Sequence, residues 1–412
     1  MILEIFKKVF VNMKEILYLP RDLKLIFFAH MLWEVGSGFY LFVFPLFIRD
    51  LGGRPEDIGF LYSLMYFVVT LATLIGGFLA DRFDRKKLIL QMWIFGSIAI
   101  LLYSFATEWL HLAPAIILYS LIIGGPAEDA YIATSTSEET MAKAFTYTEI
   151  GYSLGMIFSP LLGAYLFPFL GIRGLLRLAF VVCATSITPL LLISSQFPKE
   201  KKSYGIKKSL KDFLIPFKNK QLMLWIPFFM LIVFIITMII PFIPPLLEDI
   251  YGLDRSLILA MSSALSAGEV LFGVFLGWIG NKWTTGKILS LALVVLSLDV
   301  LVLALKIPLF ILPLVIFITG IWRGAIALTR SIVGLHAGSS PGITFAVYSI
   351  LLSVPQILAP KISGILYEKS PIQPFLIGSI LLLALAPVII IKERHNAYTE
   401  RTSVAQRETN LF

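Results

Sequence analysis

The chain has 412 residues, of which 58% are hydrophobic and only 15% charged, and its formal net charge is +8. Soluble domains carry about a quarter charged residues, so a mean hydropathy of +0.88 excludes a water-dissolved globule and implies an integral membrane protein. A single cysteine, Cys183, excludes an internal disulfide. With four histidines it forms no spaced metal or nucleophile constellation, and no GxxxxGK[ST] loop is present to cradle a nucleotide. An enzyme, a metal centre and a bound cofactor are therefore not expected.

Taken in order, the chain opens with a basic amphipathic stretch, residues 1–23, suited to lie on a membrane surface at the cytoplasmic side. Apolar segments near the ~20 residues needed to cross a bilayer core then recur with short polar breaks. They predict twelve α-helical spans: Leu25 to Phe47, Ile58 to Ala80, Leu88 to Phe105, Ala113 to Ser135, Ala144 to Phe167 and Gly174 to Ser195, then Leu222 to Leu247, Leu257 to Ile279, Ile288 to Leu305, Pro308 to Leu335, Ile343 to Tyr367 and Pro374 to Ile391. Continuous apolar runs favour helices over the alternating strands of a barrel. A polar tail, 393–412, follows.

Basic residues collect in alternate connections. Arg82, Arg85, Lys86 and Lys87 follow the second span, a lysine-rich run follows the sixth, and Lys282 and Lys287 follow the eighth. The opposite connections, such as "RDLGGRPED", are mixed or acidic. The positive-inside rule places both termini in the cytoplasm, and this one-sided distribution explains the net charge without nucleic acid. The lysine-rich linker 197–221 separates two sets of six spans, 24–196 and 222–392. Shifted by 200 residues, "GFLADRFDRKKLI" from Gly77 aligns with "GWIGNKWTTGKIL" from Gly277, setting Asp81 against Asn281 and Arg82 against Lys282; Pro160 meets Pro360. Such a parallel repeat is characteristic of transporters built from two pseudo-equivalent bundles.

"GGFLADRFDRKK" resembles the loop two-to-three signature of the major facilitator superfamily, with Gly77, Asp81, Arg82, Arg85 and Lys86 matching and Asp84 standing where the family has Gly. The resemblance covers the chain apart from its tails. It implies two pseudo-symmetric six-helix bundles enclosing a central cavity, a conformational gate at these residues and at the second copy (Gly277, Asn281, Lys282), and docking of Asp81 near the start of helix eleven, around Gly342 to Thr344. Arg85, Lys86 and Lys87 by themselves need do no more than fix topology. Helix five, "GYSLGMIFSPLLGAY", is similar to the glycine-proline signature of proton-coupled antiporters, with Gly155, Pro160 and Gly163 in register and Ser159 and Ala164 replacing two glycines. Small residues four apart also favour close helix packing. Ser120 stands where that group has a helix-four arginine.

A charge at the bilayer centre costs about 2.5–3.5 kcal/mol on insertion scales, so it normally faces a cavity or a partner. Glu34 lies midway through the first span, one turn after His30, which falls nearer the cytoplasmic face and is expected in the interface. In the fourth, Pro126 bends the helix just before Glu128 and Asp129. A shift of 195 residues aligns Glu128 with Arg323, and the two could pair across the cavity. Glu269 sits on a small-residue face with Ser262, Ser266, Gly273 and Gly277. Asp299 and Arg177 are expected to be peripheral, and Lys361 to reach the cavity or a partner acid.

These residues predict a monomeric, plasma-membrane secondary transporter working by alternating access and exchanging protons for hydrophobic or cationic small molecules. Glu34, Glu128, Asp129, Glu269 and Arg323 are the coupling candidates. Trp33, Phe39, Tyr40, Tyr62, Tyr66, Phe228 and Phe229 are available as aromatic lining. The alternative is a proton symporter or uniporter of a small nutrient or anion bound by Arg323 or Arg330.

Overall fold

A computed structural model describes residues 19–198, 215–280, 283–337 and 341–409. Among these residues all regular structure is helical. The helices are α1 (Arg21–Gly38), α2 (Phe44–Asp50), α3 (Pro55–Ala80), α4 (Arg85–Tyr103), α5 (Leu112–Ser120), α6 (Gly125–Thr134), α7 (Glu138–Thr185), α8 (Ile187–Leu191), α9 (Lys220–Ile239), α10 (Ile243–Asp249), α11 (Arg255–Ile279), α12 (Thr285–Ala304), α13 (Leu312–Thr319), α14 (Ile321–Leu335), α15 (Pro341–Lys369) and α16 (Gln373–Thr409). The predicted surface segment up to residue 18 and most of the central linker, 199–214, lie outside the described residues.

Among the described residues, ten helical runs are long and apolar enough to cross a membrane. Ten is two short of the twelve predicted spans, and two features of the backbone bear on the difference. The run Lys143–Leu191 contains both the fifth and sixth, which meet at Gly171, whose φ of 61° is a left-handed conformation glycine adopts without steric penalty. The first span is divided, with α1 ending at Gly38 and α2 starting at Phe44-Pro45, where a proline sacrifices no helical hydrogen bond. Large apolar side chains stay exposed on the outer faces, among them Phe67, Leu74, Phe158, Tyr165, Ile380 and Ile391. In water such faces would aggregate; in lipid they are solvated.

The 200-residue repeat reappears in the backbone. Gly52 and Gly252 both take positive φ, of 84° and 65°. Pro55 and Arg255 begin α3 and α11, and Arg85 and Thr285 begin α4 and α12.

Two compact units emerge from the packing. One groups the chain up to Gly53, the run from Leu64 to the linker, and Asp254–Ser263; the other groups Arg54–Ser63, the run from the linker to Leu253, and Ala264 onward. The first turns of α3 therefore belong with the second unit and those of α11 with the first. Within the second, Lys361 Nζ lies 2.6 Å from Glu56 Oε1, which gives Lys361 an acidic partner. A Cβ on Gly364 would meet the Pro55 carbonyl oxygen at 2.5 Å, so glycine is what lets α15 and α3 touch there. Within the first, Arg255 pairs with Asp50.

The first unit has a core of Ile26, Ile89, Trp93, Ala127, Tyr131 and Leu190. In the second, α12 packs along α16 and α9 along α15. Hydroxyls tie the first of these pairs, Ser290 donating to the Ala386 carbonyl and Ser297 to that of Ser379, both at 2.8 Å. With no water in the hydrocarbon core, such internal partners satisfy the polar atoms.

Candidate functional site

In the first unit the predicted fourth span is interrupted. Helix α5 stops at Ser120, residues 121–124 form a turn, and Pro126 starts α6. The break places Glu128 in the first turn of α6, where unpaired backbone N–H groups favour a carboxylate. Glu128 is 6% exposed, and Nε2 of His30 on α1 meets its Oε1. The imidazole stands edge-on to Trp93 of α4, with centroids 5.2 Å apart. His30 thus has an internal partner, with its side chain 21% exposed. Asp129, next in the chain, is exposed, since consecutive helical residues point about 100° apart.

Glu34 is also 6% exposed. It lies one turn beyond His30 on α1 and within electrostatic reach of His30, Tyr119 and Cys183. Trp33 continues the aromatic wall, its ring 4.8 Å from that of Trp93 and 6.4 Å from that of Tyr119. The antiporter-like residues of α7 explain how Glu34 is held. A Cβ on Gly155 would sit 2.6 Å from Glu34 Cβ, Ser159 Oγ donates to the Glu34 carbonyl oxygen at 3.3 Å, and a Cβ on Gly163 would lie 3.2 Å from Phe39 Cα. Pro160 falls inside the same helix and borders Gly38. The stripe seats α1 on α7.

The second unit repeats the interruption. Gly320 separates α13 from α14 and puts Arg323 in the first turn of α14, a position whose dipole repels a cation. Glu269 of α11 compensates. Its Oε2 accepts from Arg323 Nη1 at 3.4 Å, and its Oε1 from Trp322 Nε1 at 3.0 Å. Close approach depends on Gly268 and Gly320, since a Cβ on either would collide with backbone of the facing helix. The contact expected from the small-residue face is therefore made at Gly268, while Gly273 and Gly277 have no described atom within 4 Å of a built Cβ.

Several expectations are corrected. Glu128 and Arg323 each have a partner within their own unit, His30 and Glu269. Asp299 is 6% exposed and accepts from Thr319 Oγ1 at 2.7 Å, a structural role rather than a snorkelling one. Phe39, Tyr40 and Phe229 are at most 2% exposed and serve as packing rather than available lining. Ser120, in place of an arginine, is fully buried. Arg177 is exposed, as predicted, with its guanidinium 5.8 Å from the Phe105 ring centroid.

At the loop between α3 and α4, Asp84 caps α4 by accepting from Lys86 N and also from Gln196 N, both at 3.1 Å. Arg85, expected only to fix topology, is 8% exposed and donates to Thr134 Oγ1 at 2.9 Å and to Gln196 Oε1 at 2.7 Å. Lys86 Nζ donates to the Leu191 carbonyl at 2.8 Å. Asp81 and Arg82 are exposed, with Arg82 stacked 3.4 Å from the Phe78 ring centroid, and Gly77 has no atom within 4 Å of a built Cβ. Asn281 and Lys282 lie outside the described residues.

Nearby, burial pushes the Asp22 carboxyl up, but hydrogen bonds from the Tyr131 hydroxyl and from Ser194 outweigh it, and its pKa falls below the ordinary value. This carboxylate and Arg85 both tie the fourth predicted span to the end of the sixth.

This helical architecture, with broken helices carrying charged residues in each repeat, is that of a multi-pass membrane transporter. The profile of the Major Facilitator Superfamily matches residues 26–360, and the chain belongs to that family. Among curated relatives, Multidrug resistance protein 2 of Bacillus subtilis (strain 168) is 25% identical over 394 residues, covering 88% of this chain and 93% of its own. The Quinolone resistance protein NorA of Staphylococcus aureus (strain MRSA252) is 23% identical over 404 residues, covering 92% and 98%. Among solved structures, a mutant of the nucleoside transporter NupG has a TM-score of 0.73 at 15% identity, covering 90% of this chain and all of its own. A POT family transporter in complex with a thioalcohol-conjugated peptide also reaches 0.73, at 13% identity, with 91% and 96% covered. These structural likenesses establish the fold.

Proposed function

We propose that this chain is a proton-coupled efflux transporter for hydrophobic or cationic small molecules. It works as a monomer in the plasma membrane with both termini cytoplasmic. The observation that carries the reading is the pair of buried acids in the first unit, Glu34 and Glu128, set beside the half-buried Trp33 and Tyr119. Carboxylates at membrane depth are costly and are retained where they bind ions or protons, and aromatic faces attract organic cations. Relatives spanning nearly the whole chain carry multidrug-resistance and quinolone-resistance names, which supports the same substrate class.

In this reading Glu34 and Glu128 exchange protons for substrate as the two bundles, 24–196 and 222–392, alternate in access. Glu269 and Arg323 form the counterpart ion pair of the second, and Asp129 is an exposed acid beside the first site. Gly77, Asp81 and Arg82 with Gly277, Asn281 and Lys282 form the gate, anchored by Arg85 and Lys86. Arg323 is already engaged by Glu269, so an anion binding there would have to displace that carboxylate, which weighs against anion symport.

The test is reconstitution into liposomes with an imposed pH gradient and ethidium as the probe. Ethidium moving against the direction of proton flow is the expected result. Co-migration with protons, or movement indifferent to the gradient, overturns the proposal.

A further inference from the structure

We propose that His30 is a proton-coupling residue, sharing one proton with Glu128 that an arriving organic cation displaces; this rests on the efflux reading above. His30 and Glu128 are joined directly, and their side chains are only 21% and 8% exposed. The imidazole is held in place by Trp93, while Glu128 is fixed by the break that starts α6. An imidazole changes charge near pH 6.5 when unperturbed, closer to neutrality than a carboxyl. It is therefore the better proton carrier of the two.

The groups facing His30 make this pair an exchange site rather than an inert ion pair. Glu128 meets His30 from α6, Glu34 one turn along α1 and Glu149 of α7 act on it electrostatically, and α4 contributes the uncharged Trp93. One carboxylate thus contacts the ionisable base and two more act on it from further off. With His30 protonated, Glu128 is neutralised. When a monovalent organic cation takes the place of the imidazolium opposite Glu128 and Glu34, the Nε2–H bond breaks, its electron pair stays on nitrogen and the proton passes to water. One positive charge replaces another, so the site's total charge is the same in both halves of the cycle. Trp33, half-buried and packed edge to face against the core residue Trp93 at 4.8 Å, borders this position with the apolar and π surface an organic cation requires.

The test uses the full chain in lipid nanodiscs. Replacing His111, His336 and His395 by Gln leaves His30 as the sole imidazole of the four in the sequence, so ¹⁵N-histidine spectra report it alone. The expected result is that Glu128→Gln moves the midpoint of the His30 titration by about one pH unit or more, as loss of an adjacent charge does. In weakly buffered solution, tetraphenylphosphonium is expected to release about one proton per bound molecule from wild type, as the one-for-one displacement requires, and none from His30→Gln. An unmoved midpoint overturns the proton sharing. Equal proton release from His30→Gln overturns the role of His30 in displacement. Failure of wild type to bind tetraphenylphosphonium overturns the efflux reading and the displacement step with it, a result separate from the titration. If His30→Gln does not fold, the Glu128→Gln titration decides the outcome, because the imidazole is retained.

Discussion

Arg323 Nη1 lies 3.4 Å from Glu269 Oε2, joining the first turn of α14 to the middle of α11 in the second unit. The arginine occupies a helix start that disfavours cations, and the carboxylate is half-buried, its side chain 14% exposed, so each offsets the other's cost. Glu269→Gln and Arg323→Met are each expected to lower thermal stability, and the double variant to lose less than the sum. A coupling energy of about 1 kcal/mol from a double-mutant cycle on detergent-solubilised protein is the checkable quantity; strict additivity would show the pair to be energetically idle.

Gly155 and Gly77 make opposite predictions. A methyl at 155 meets Glu34 Cβ at 2.6 Å and two backbone atoms of α1 at 2.9 Å, whereas one at 77 meets nothing within 4 Å. Gly155→Ala should destabilise by roughly 1–3 kcal/mol through overpacking and impair ethidium transport. Gly77→Ala should leave the melting temperature unchanged or slightly raised, because alanine favours helix. The reverse ranking would mean that the α1–α7 contact is not the tight one.

Asp299 accepts a hydrogen bond from Thr319 in a buried setting. An amide oxygen also accepts, so Asp299→Asn should stay within about 1 kcal/mol of wild type, while Asp299→Ala strands the donor and costs about 1–3 kcal/mol. Parallel melting curves decide. Loss of ethidium transport in a well-folded Asp299→Asn chain would instead assign the carboxyl a part in transport.

The Asp22 carboxyl titrates lower in the folded chain than its ordinary 3.8. A depressed acid contributes stability that is fully present above its unfolded pKa and is lost as pH falls through the folded one. The stability gap between wild type and Asp22→Asn should therefore be constant from pH 7 to about 5 and shrink below about pH 4. A gap independent of pH down to 3 would remove the charged hydrogen bonds to Tyr131 and Ser194 from the account.

By itself the sequence determined the membrane solvent, the apolar runs and the repeat, because each is a local property: runs of apolar residues set helix length, and matching Gly and Pro positions reveal duplication. It also singled out Glu34, Glu128, Glu269 and Arg323, since a charge in an apolar run is conspicuous whatever surrounds it. The partners were decided only by tertiary structure. His30 on Glu128, Glu269 on Arg323 and Thr319 on Asp299 are 98, 54 and 20 residues apart, and which atoms meet depends on where two helices break and which glycines let backbones touch. Pro126 signalled the first break, but Gly320 gave no comparable sign. An aromatic residue reads the same in sequence whether it packs a bundle or lines a cavity, which is why Phe39, Tyr40 and Phe229 could be placed only once their neighbours were known.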